Sequence, residues 1–128
     1  MIFGIGTDIV QVTRIQGSLD RFGESFARRI LSLVELEEFV GDKRPAHFLA
    51  KRFAAKEAAV KALGTGFRGG VKLADIAVVH NEAGRPALTY SGRMAALLQE
   101  RGVAESHLSL ADEQDYAVAF VILLTGVP

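Results

Sequence analysis

The alanine-rich stretch from Arg52 to Gly66 constrains the fold more than any other part of this chain. Alanine and straight-chain residues dominate it, and Gly64 stands where a helix C-cap is expected, so a helix is predicted from Pro45 to Leu63. At about 100° per residue, the larger apolar side chains fall on one stripe: Leu49, Phe53, Val60 and Leu63. Alanines cover much of the remaining surface, so neighbouring elements can approach this helix closely on more than one side.

Glu57 and Lys61 lie one turn apart on the shoulder of that stripe. The pair is open to two interpretations. The first is an exposed i,i+4 ion pair, which stabilises a helix by only a few tenths of a kcal/mol. The second is a carboxylate and an ammonium at the wall of a site that binds an anion together with a divalent metal. The helix alone favours the surface pair, so evidence for a site must come from the rest of the chain.

The composition excludes several classes of protein. A chain of 128 residues that is 49% hydrophobic can bury the core of a single domain over residues 1–128. Fifteen basic and fifteen acidic residues give a net charge of +0, which argues against a general nucleic-acid binder. The absence of cysteine excludes disulfides, thiolate nucleophiles and cysteine-based metal sites.

No targeting or membrane-spanning segment is predicted. Asp8 interrupts the apolar N-terminus, which also lacks the basic start of a signal peptide. The longest apolar run, Ala117 to Leu124, is far shorter than the roughly 20 residues of a membrane span. We therefore expect a cytoplasmic protein without a membrane partner.

Strand and helix patterns predict the fold class. Propensity, alternation and flanking turn residues predict strands at residues 2–10, 75–80, 87–90, 107–111 and 116–124. Spacings of three and four predict helices, in pieces, over residues 12–31, 35–40, 45–63 and from Ser91 to Gly102. The last strand is apolar on both faces, which predicts deep burial. This order favours an α+β domain with a mainly antiparallel sheet packed on the long central helix.

The first strand carries two glycines and one acid. Gly4 and Gly6 allow a close backbone approach, and without a third glycine and a following helix they do not form a dinucleotide-binding fingerprint. Asp8 lies near the far end of the strand. Taken alone, it is more simply interpreted as a turn acid than as a ligand.

The segment 12–31 is locally basic. Its four arginines and two acids give a local excess of +2, four minus two: Arg14, Arg21, Arg28 and Arg29 against Asp20 and Glu24. A solvated helix face is the simpler explanation, and an acidic protein partner is the functional one.

The glycine-rich connector over residues 64–70 follows a helix, whereas phosphate cradles usually precede one. A C-cap and a mobile loop therefore explain it at least as well as a phosphate site, although Lys61 or the loop amides would supply any phosphate contact. His107, taken alone, is more often a structural histidine than a catalytic one.

Three segments together form a more specific pattern. They are Gly4-Ile-Gly-Thr-Asp-Ile9, the helix segment from Phe53 to Gly66, and His107-Leu-Ser-Leu-Ala-Asp112. In order and spacing this pattern closely resembles the bacterial holo-[acyl-carrier-protein] synthases, the small class of 4'-phosphopantetheinyl transferases. The resemblance covers essentially the whole chain. It implies the fold of that family and a transferase activity in support of fatty acid biosynthesis.

The implied reaction transfers the 4'-phosphopantetheine arm of coenzyme A to a serine of apo acyl carrier protein, releasing adenosine 3',5'-bisphosphate. Asp8 and Glu57 match the magnesium ligands of the family, and Lys61 matches a lysine that contacts the diphosphate of coenzyme A. The resemblance thus makes Glu57, Lys61 and Asp8 the catalytic set. Glu57 or a metal-bound water would accept the serine proton, and the sequence does not choose between them.

The resemblance also implies binding residues and an assembly. Coenzyme A contacts are expected from Lys61, Arg52, Gly64, Thr65 and His107. Carrier-protein contacts are expected from Arg14, Arg21 and Arg28. Family members are similar to one another in forming homotrimers with active sites at subunit interfaces. Many relatives have a second histidine at the position of Asp112, so no role is assigned to that residue.

Two alternatives to the transferase are open at this point. A magnesium-dependent nucleotide hydrolase would use water in place of the serine and would cleave coenzyme A without a carrier protein. A catalytically silent oligomeric binding module would use Asp8 only as a turn acid, and magnesium would not change its affinity for coenzyme A.

Overall fold

The computed structural model describes residues 1–126; the last two residues of the predicted domain, Val127 and Pro128, lie outside the described residues. The strands are β1 (Ile2–Gln11), β2 (Ile76–His80), β3 (Pro86–Tyr90), β4 (Val103–Asp112) and β5 (Tyr116–Thr125). The helices are α1 (Val12–Phe22), α2 (Glu24–Ile30), α3 (Leu33–Val40), α4 (Pro45–Leu63) and α5 (Gly92–Glu100). The antiparallel sheet has the order β1-β5-β4, and β2 and β3 form a separate antiparallel hairpin. The predicted α+β class is confirmed.

Helix α4 lies across β1 and β5 and has the predicted bounds. Gly64 ends it in a left-handed conformation at φ +90°, with its N–H donating to the carbonyl of Val60 at 3.0 Å. Most of its buried residues are alanines, which place the helix backbone close to the sheet. In the described residues, no helix has the length and hydropathy needed to cross a membrane.

The glycines of β1 allow that close approach. A Cβ atom added at Gly4 would overlap the carbonyl oxygen of Ala62, and one added at Gly6 would overlap that of Ala58. Both contacts are backbone to backbone, so no change of side-chain rotamer could relieve them. The two glycines therefore serve helix–sheet packing, and the backbone of β1 is held directly against α4.

Burial on β5 alternates, so the expectation that both of its faces are buried is wrong for this chain. The face toward α4 is buried, at Ala117, Ala119, Val121 and Leu123. Phe120 on the opposite face is 40% exposed, and neighbouring Ile9 of β1 is 64% exposed. We call this side of the three-stranded sheet, turned away from α4, the outer sheet face. Its large exposed apolar residues include Ile5, Ile9, Tyr116, Val118 and Phe120.

The helical segment predicted over residues 12–31 is present as α1 and α2, which are separated at Gly23. Gly23 has φ +60°, a conformation that costs a glycine little, so the chain can change direction there. Helix α3 begins two residues earlier than predicted because Ser32 and Glu35 form a capping box at its start.

Candidate active site

Asp8 and Lys61, which are far apart in the sequence, meet at the contact between β1 and α4. The Nζ atom of Lys61 lies 2.9 Å from Oδ1 of Asp8 and 3.2 Å from the carbonyl oxygen of Thr7. Asp8 faces α4 because it alternates along β1 with the outward-facing Thr7 and Ile9. The ion pair between Lys61 and Glu57, one of the two interpretations left open above, is absent from the ion pairs of the described residues, and Asp8 takes the place of Glu57.

Glu57 lies beside the same pair. Burial raises the pKa of Glu57, repulsion from the Asp8 carboxylate raises it further, and the Lys61 ammonium partly opposes both effects. Two carboxylates that repel each other in a partly buried place attract a cation. Asp8 and Glu57 are therefore the two residues here that can hold a metal ion.

The donor set fits magnesium better than zinc. Among residues 1–126, no cluster of three or more histidine or acidic side chains has the geometry to hold a metal ion. Magnesium typically binds one or two carboxylates and completes its coordination with water and substrate phosphates. Asp8 and Glu57 supply those carboxylates, and Lys61 adds a positive charge for a phosphate oxygen.

A pocket of about 310 Å³ opens at the two acids. Its lining combines Asp8, Glu57, Arg14 and Ser18 with apolar side chains that include Ile15, Phe26 and Phe53. Phe53 was expected only on the apolar stripe of the helix, and no site role was expected of Ile15 or Phe26. A signal was available for Phe53, which lies four residues before Glu57 and therefore on the same side of α4.

The three arginines expected to bind a carrier protein lie on α1 and α2. Arg14 lines the pocket, which brings it beside the acids. Arg21 lies over the ring of Phe22, with its guanidinium carbon 5.2 Å from the ring centroid. Arg28 forms an exposed ion pair with Glu24 at 3.4 Å.

Arg52 does not fit the expected coenzyme A contact. Its side chain is 6% exposed, and its Nη1 donates to Glu35 and to the carbonyl of Val78, each at 3.0 Å. The guanidinium is thus fully engaged inside the protein, and Arg52 is removed from the coenzyme A site. Arg52 was predicted as a contact because it lies in the motif helix. The sequence alone does not show that its side chain points away from Glu57.

The other expected coenzyme A residues occupy two separate places. Gly64 and Thr65 line a pocket of about 400 Å³ with three arginines: Arg68, Arg93 and Arg101. His107 lies on the outer sheet face, where its Nε2 is 3.3 Å from Oε2 of Glu105. The next residue, Leu108, is buried, which confirms the predicted alternation of β4. Within one chain, the sheet separates His107 from Asp8 and Lys61.

The fold and the site define a class: an α+β protein that brings two acids and a lysine together where a strand meets its central helix. The family model of the 4'-phosphopantetheinyl transferase superfamily matches residues 4–121. This chain belongs to that superfamily, and the resemblance inferred from its motifs is confirmed.

Individual relatives agree over nearly the whole length. The chain is 57% identical to a holo-[acyl-carrier-protein] synthase of Halorhodospira halophila, over 98% of this chain and 100% of that protein. It is 52% identical to that of Vibrio cholerae, over 96% and 98% of the two chains.

Solved structures give the same result. The holo-[acyl-carrier-protein] synthase of Neisseria meningitidis superimposes with a TM-score of 0.93 at 46% identity, covering 98% of this chain and 100% of that one. The synthase of Bacillus anthracis, solved in complex with coenzyme A (3',5'-ADP), superimposes with a TM-score of 0.83 at 38% identity, covering 98% of this chain and 99% of that one.

Proposed function

We propose that this protein is a holo-[acyl-carrier-protein] synthase. It transfers the 4'-phosphopantetheine of coenzyme A to a serine of apo acyl carrier protein and releases adenosine 3',5'-bisphosphate. One observation carries the proposal: Asp8, Glu57 and Lys61 converge on one site, in a chain 57% identical over nearly its full length to a synthase of this name.

Asp8 and Glu57 are the proposed magnesium ligands. These two carboxylates would hold magnesium, which would supply positive charge to the diphosphate of coenzyme A and to its leaving group. Lys61 binds an oxygen of the same diphosphate, exchanging its contact with Asp8 for one with the substrate. The side chain is 53% exposed, so its ammonium can make this exchange without crossing packed residues.

The transfer step needs a nucleophile and a proton acceptor. The serine oxygen of the carrier protein forms a bond to the phosphorus on the pantetheine side, and the bond from that phosphorus to the bridging oxygen breaks. The electron pair leaves on the 5'-phosphate of adenosine 3',5'-bisphosphate. We assign the serine proton to the Glu57 carboxylate, which lines the pocket together with Asp8.

The apolar side of the pocket favours transfer over hydrolysis. Phe26 and Phe53 line it beside Glu57, and their rings offer water no hydrogen-bond partner on that side of the pocket. Exclusion of water prevents side reactions of an activated phosphoryl group. This feature favours the transferase over the nucleotide hydrolase that the sequence left open.

We further propose a homotrimer with active sites at the subunit interfaces. The support is the outer sheet face, where large apolar side chains such as Ile9 and Phe120 are exposed in the isolated chain. A second support is His107, which can reach a coenzyme A bound at Lys61 only from another subunit. The silent binding module shares the oligomer but gives no reason for two acids at one pocket with a lysine bonded to one of them.

The carrier protein is proposed to bind along α1 and α2. Arg14, Arg21 and Arg28 are exposed there, and the local excess of +2 stands out in a chain of net charge +0. An acidic carrier surface would be steered toward these arginines and then held near the pocket. Gly64 and Thr65 remain proposed coenzyme A contacts, and the proposed location is the cytoplasm.

A mass-shift assay tests the function. The protein is incubated with coenzyme A, magnesium and apo acyl carrier protein, and the carrier is weighed by mass spectrometry. We expect a gain of one phosphopantetheine group, which is lost when EDTA removes the metal. Cleavage of coenzyme A in the absence of the carrier would instead support the hydrolase, and an unmodified carrier would refute the proposal.

A further inference from the structure

Lys56 precedes Glu57 on α4, but its side chain lies on a different side of the helix. Successive residues of a helix point about 100° apart, so Lys56 faces away from the pocket while Glu57 lines it. The side chain of Lys56 is 0% exposed. Its Nζ lies 2.6 Å from Oε1 of Glu35 and 2.6 Å from the carbonyl oxygen of Ile30.

Glu35, in α3, connects this lysine to β2 and to a second residue of α4. Its Oε1 also accepts the N–H of Ser32 at 3.0 Å, at the start of α3. Its Oε2 accepts from Arg52 of α4 and from the N–H of Val78 of β2, each at 3.0 Å. Every oxygen of this buried carboxylate is therefore bonded, and the carboxylate fixes α3, α4 and β2 relative to one another. Attraction to Lys56 and these hydrogen bonds outweigh the effect of burial and lower the pKa of Glu35.

The bond to Ile30 adds α2 to this network. Ile30 is the last residue of α2, and the final carbonyls of a helix have no partner within the helix. A buried ammonium at that position satisfies one of them and interacts favourably with the negative end of the helix. Helix α2 has only seven residues and two buried side chains, Ala27 and Ile30, and this bond adds a fixed point at its C-terminal end.

The orientation of α2 matters for the site. Phe26 of α2 lines the pocket beside Glu57, and Arg28 of α2 lies on its exposed side. A tilt of α2 would move both side chains relative to Glu57. The residues that bind coenzyme A and metal would stay in place, because Asp8 and Lys61 lie on β1 and α4.

We propose that Lys56 is a positioning residue for carrier-protein binding. Its ammonium anchors the C-terminal end of α2 to α4 and α3, and so fixes the surface on which the carrier serine approaches Glu57. This inference rests on the proposed function. It assigns Lys56 no contact with coenzyme A, metal or the reacting atoms, although it is next to Glu57 in the sequence.

Steady-state kinetics of Lys56→Met test the proposal. Methionine keeps the apolar stem but removes both bonds of the ammonium. We expect KM for the carrier protein to rise by about fivefold or more, with kcat and KM for coenzyme A within about twofold of wild type. Lys51→Met is the matched control, since Lys51 lies on the same helix and its side chain takes part in none of the side-chain hydrogen bonds or ion pairs found within residues 1–126.

A second variant keeps the test valid if Lys56→Met does not fold. In Lys56→Gln the side-chain amide can still donate to Ile30 and Glu35 without a charge, so KM for the carrier should lie between those of wild type and Lys56→Met. If Lys56→Met does not fold, Lys56→Gln alone should still show a raised KM for the carrier protein with an unchanged kcat.

Three results would overturn the inference: an unchanged carrier KM, a loss confined to kcat, or an equal rise in KM for coenzyme A. A wild-type protein that does not modify the carrier would refute the proposed function itself. An active wild type with an unaffected Lys56→Met carrier KM would refute only the positioning role.

Discussion

Lys61 binds Asp8 at 2.9 Å and not Glu57, the acid one helical turn before it. The lysine thus bridges α4 to β1, and the strand that carries one proposed metal ligand is tied to the helix that carries the other. The interpretation of an isolated surface pair on α4 does not hold, and under the proposed function Lys61 and Glu57 are separate contacts to one ligand.

Lys61→Met should therefore affect activity far more than stability. Loss of the ammonium removes a contact to the diphosphate, and kcat/KM for coenzyme A should fall by at least about tenfold. The free energy of unfolding should change by less than about 1 kcal/mol, because a half-exposed ion pair contributes little. Kinetics and urea unfolding measure the two quantities, with Lys51→Met as control. A full-rate Lys61→Met enzyme would exclude a role at the diphosphate.

Glu57→Gln should lose activity and gain stability. A carboxyl group whose pKa is raised on folding binds more protons in the folded state, so its contribution to stability falls as the pH rises above its ordinary value of 4.5. At neutral pH, in buffer with EDTA, the glutamine variant should have a higher Tm than wild type. Below pH 4.5 the difference in Tm should disappear. Thermal melts at several pH values measure this. A lower Tm at neutral pH would contradict it.

Gly6→Ala should destabilise the fold because the new methyl group would overlap the carbonyl oxygen of Ala58. Neither backbone can yield without moving β1 from α4, so a loss of about 2–4 kcal/mol is expected from urea unfolding. Gly17→Ala is the control, since Gly17 lies in α1 with no atom within 4 Å of the added Cβ. That change should be neutral or should stabilise by up to about 1 kcal/mol.

Phe120→Asp tests the proposed assembly. A charge on the outer sheet face would remain unpaired against apolar neighbours if another subunit covers that face. Light scattering after size exclusion should then show a trimer for wild type and smaller species for the variant. Val34→Asp is the control, because Val34 is exposed on α3, away from the sheet. A monomeric wild type would exclude the trimer.

The sequence predicted the elements that its local chemistry specifies. The bounds of α4 followed from alanine content and the glycine at its end, and the grouping of Asp8, Glu57 and Lys61 came from the family resemblance of the motifs that carry them. The burial of the Arg52 and Glu35 side chains could not be predicted from the sequence, because a charged side chain is buried only when partners from other elements bond to it. The exposed side of β5 was missed for a related reason: an apolar strand shows that both faces prefer burial, but not whether the chain itself covers both.

The contact of Gly4 and Gly6 with the carbonyls of α4 has a consequence for how the protein tolerates change. The two acids at the site are spaced by main-chain atoms in contact, so the spacing does not depend on the size of any intervening side chain. Substitutions in the helices and hairpin around the sheet can alter packing, solubility or partner preference while the acids keep their separation. For protein engineering, the surrounding surface is the part to redesign, and these two glycines are the part to leave unchanged.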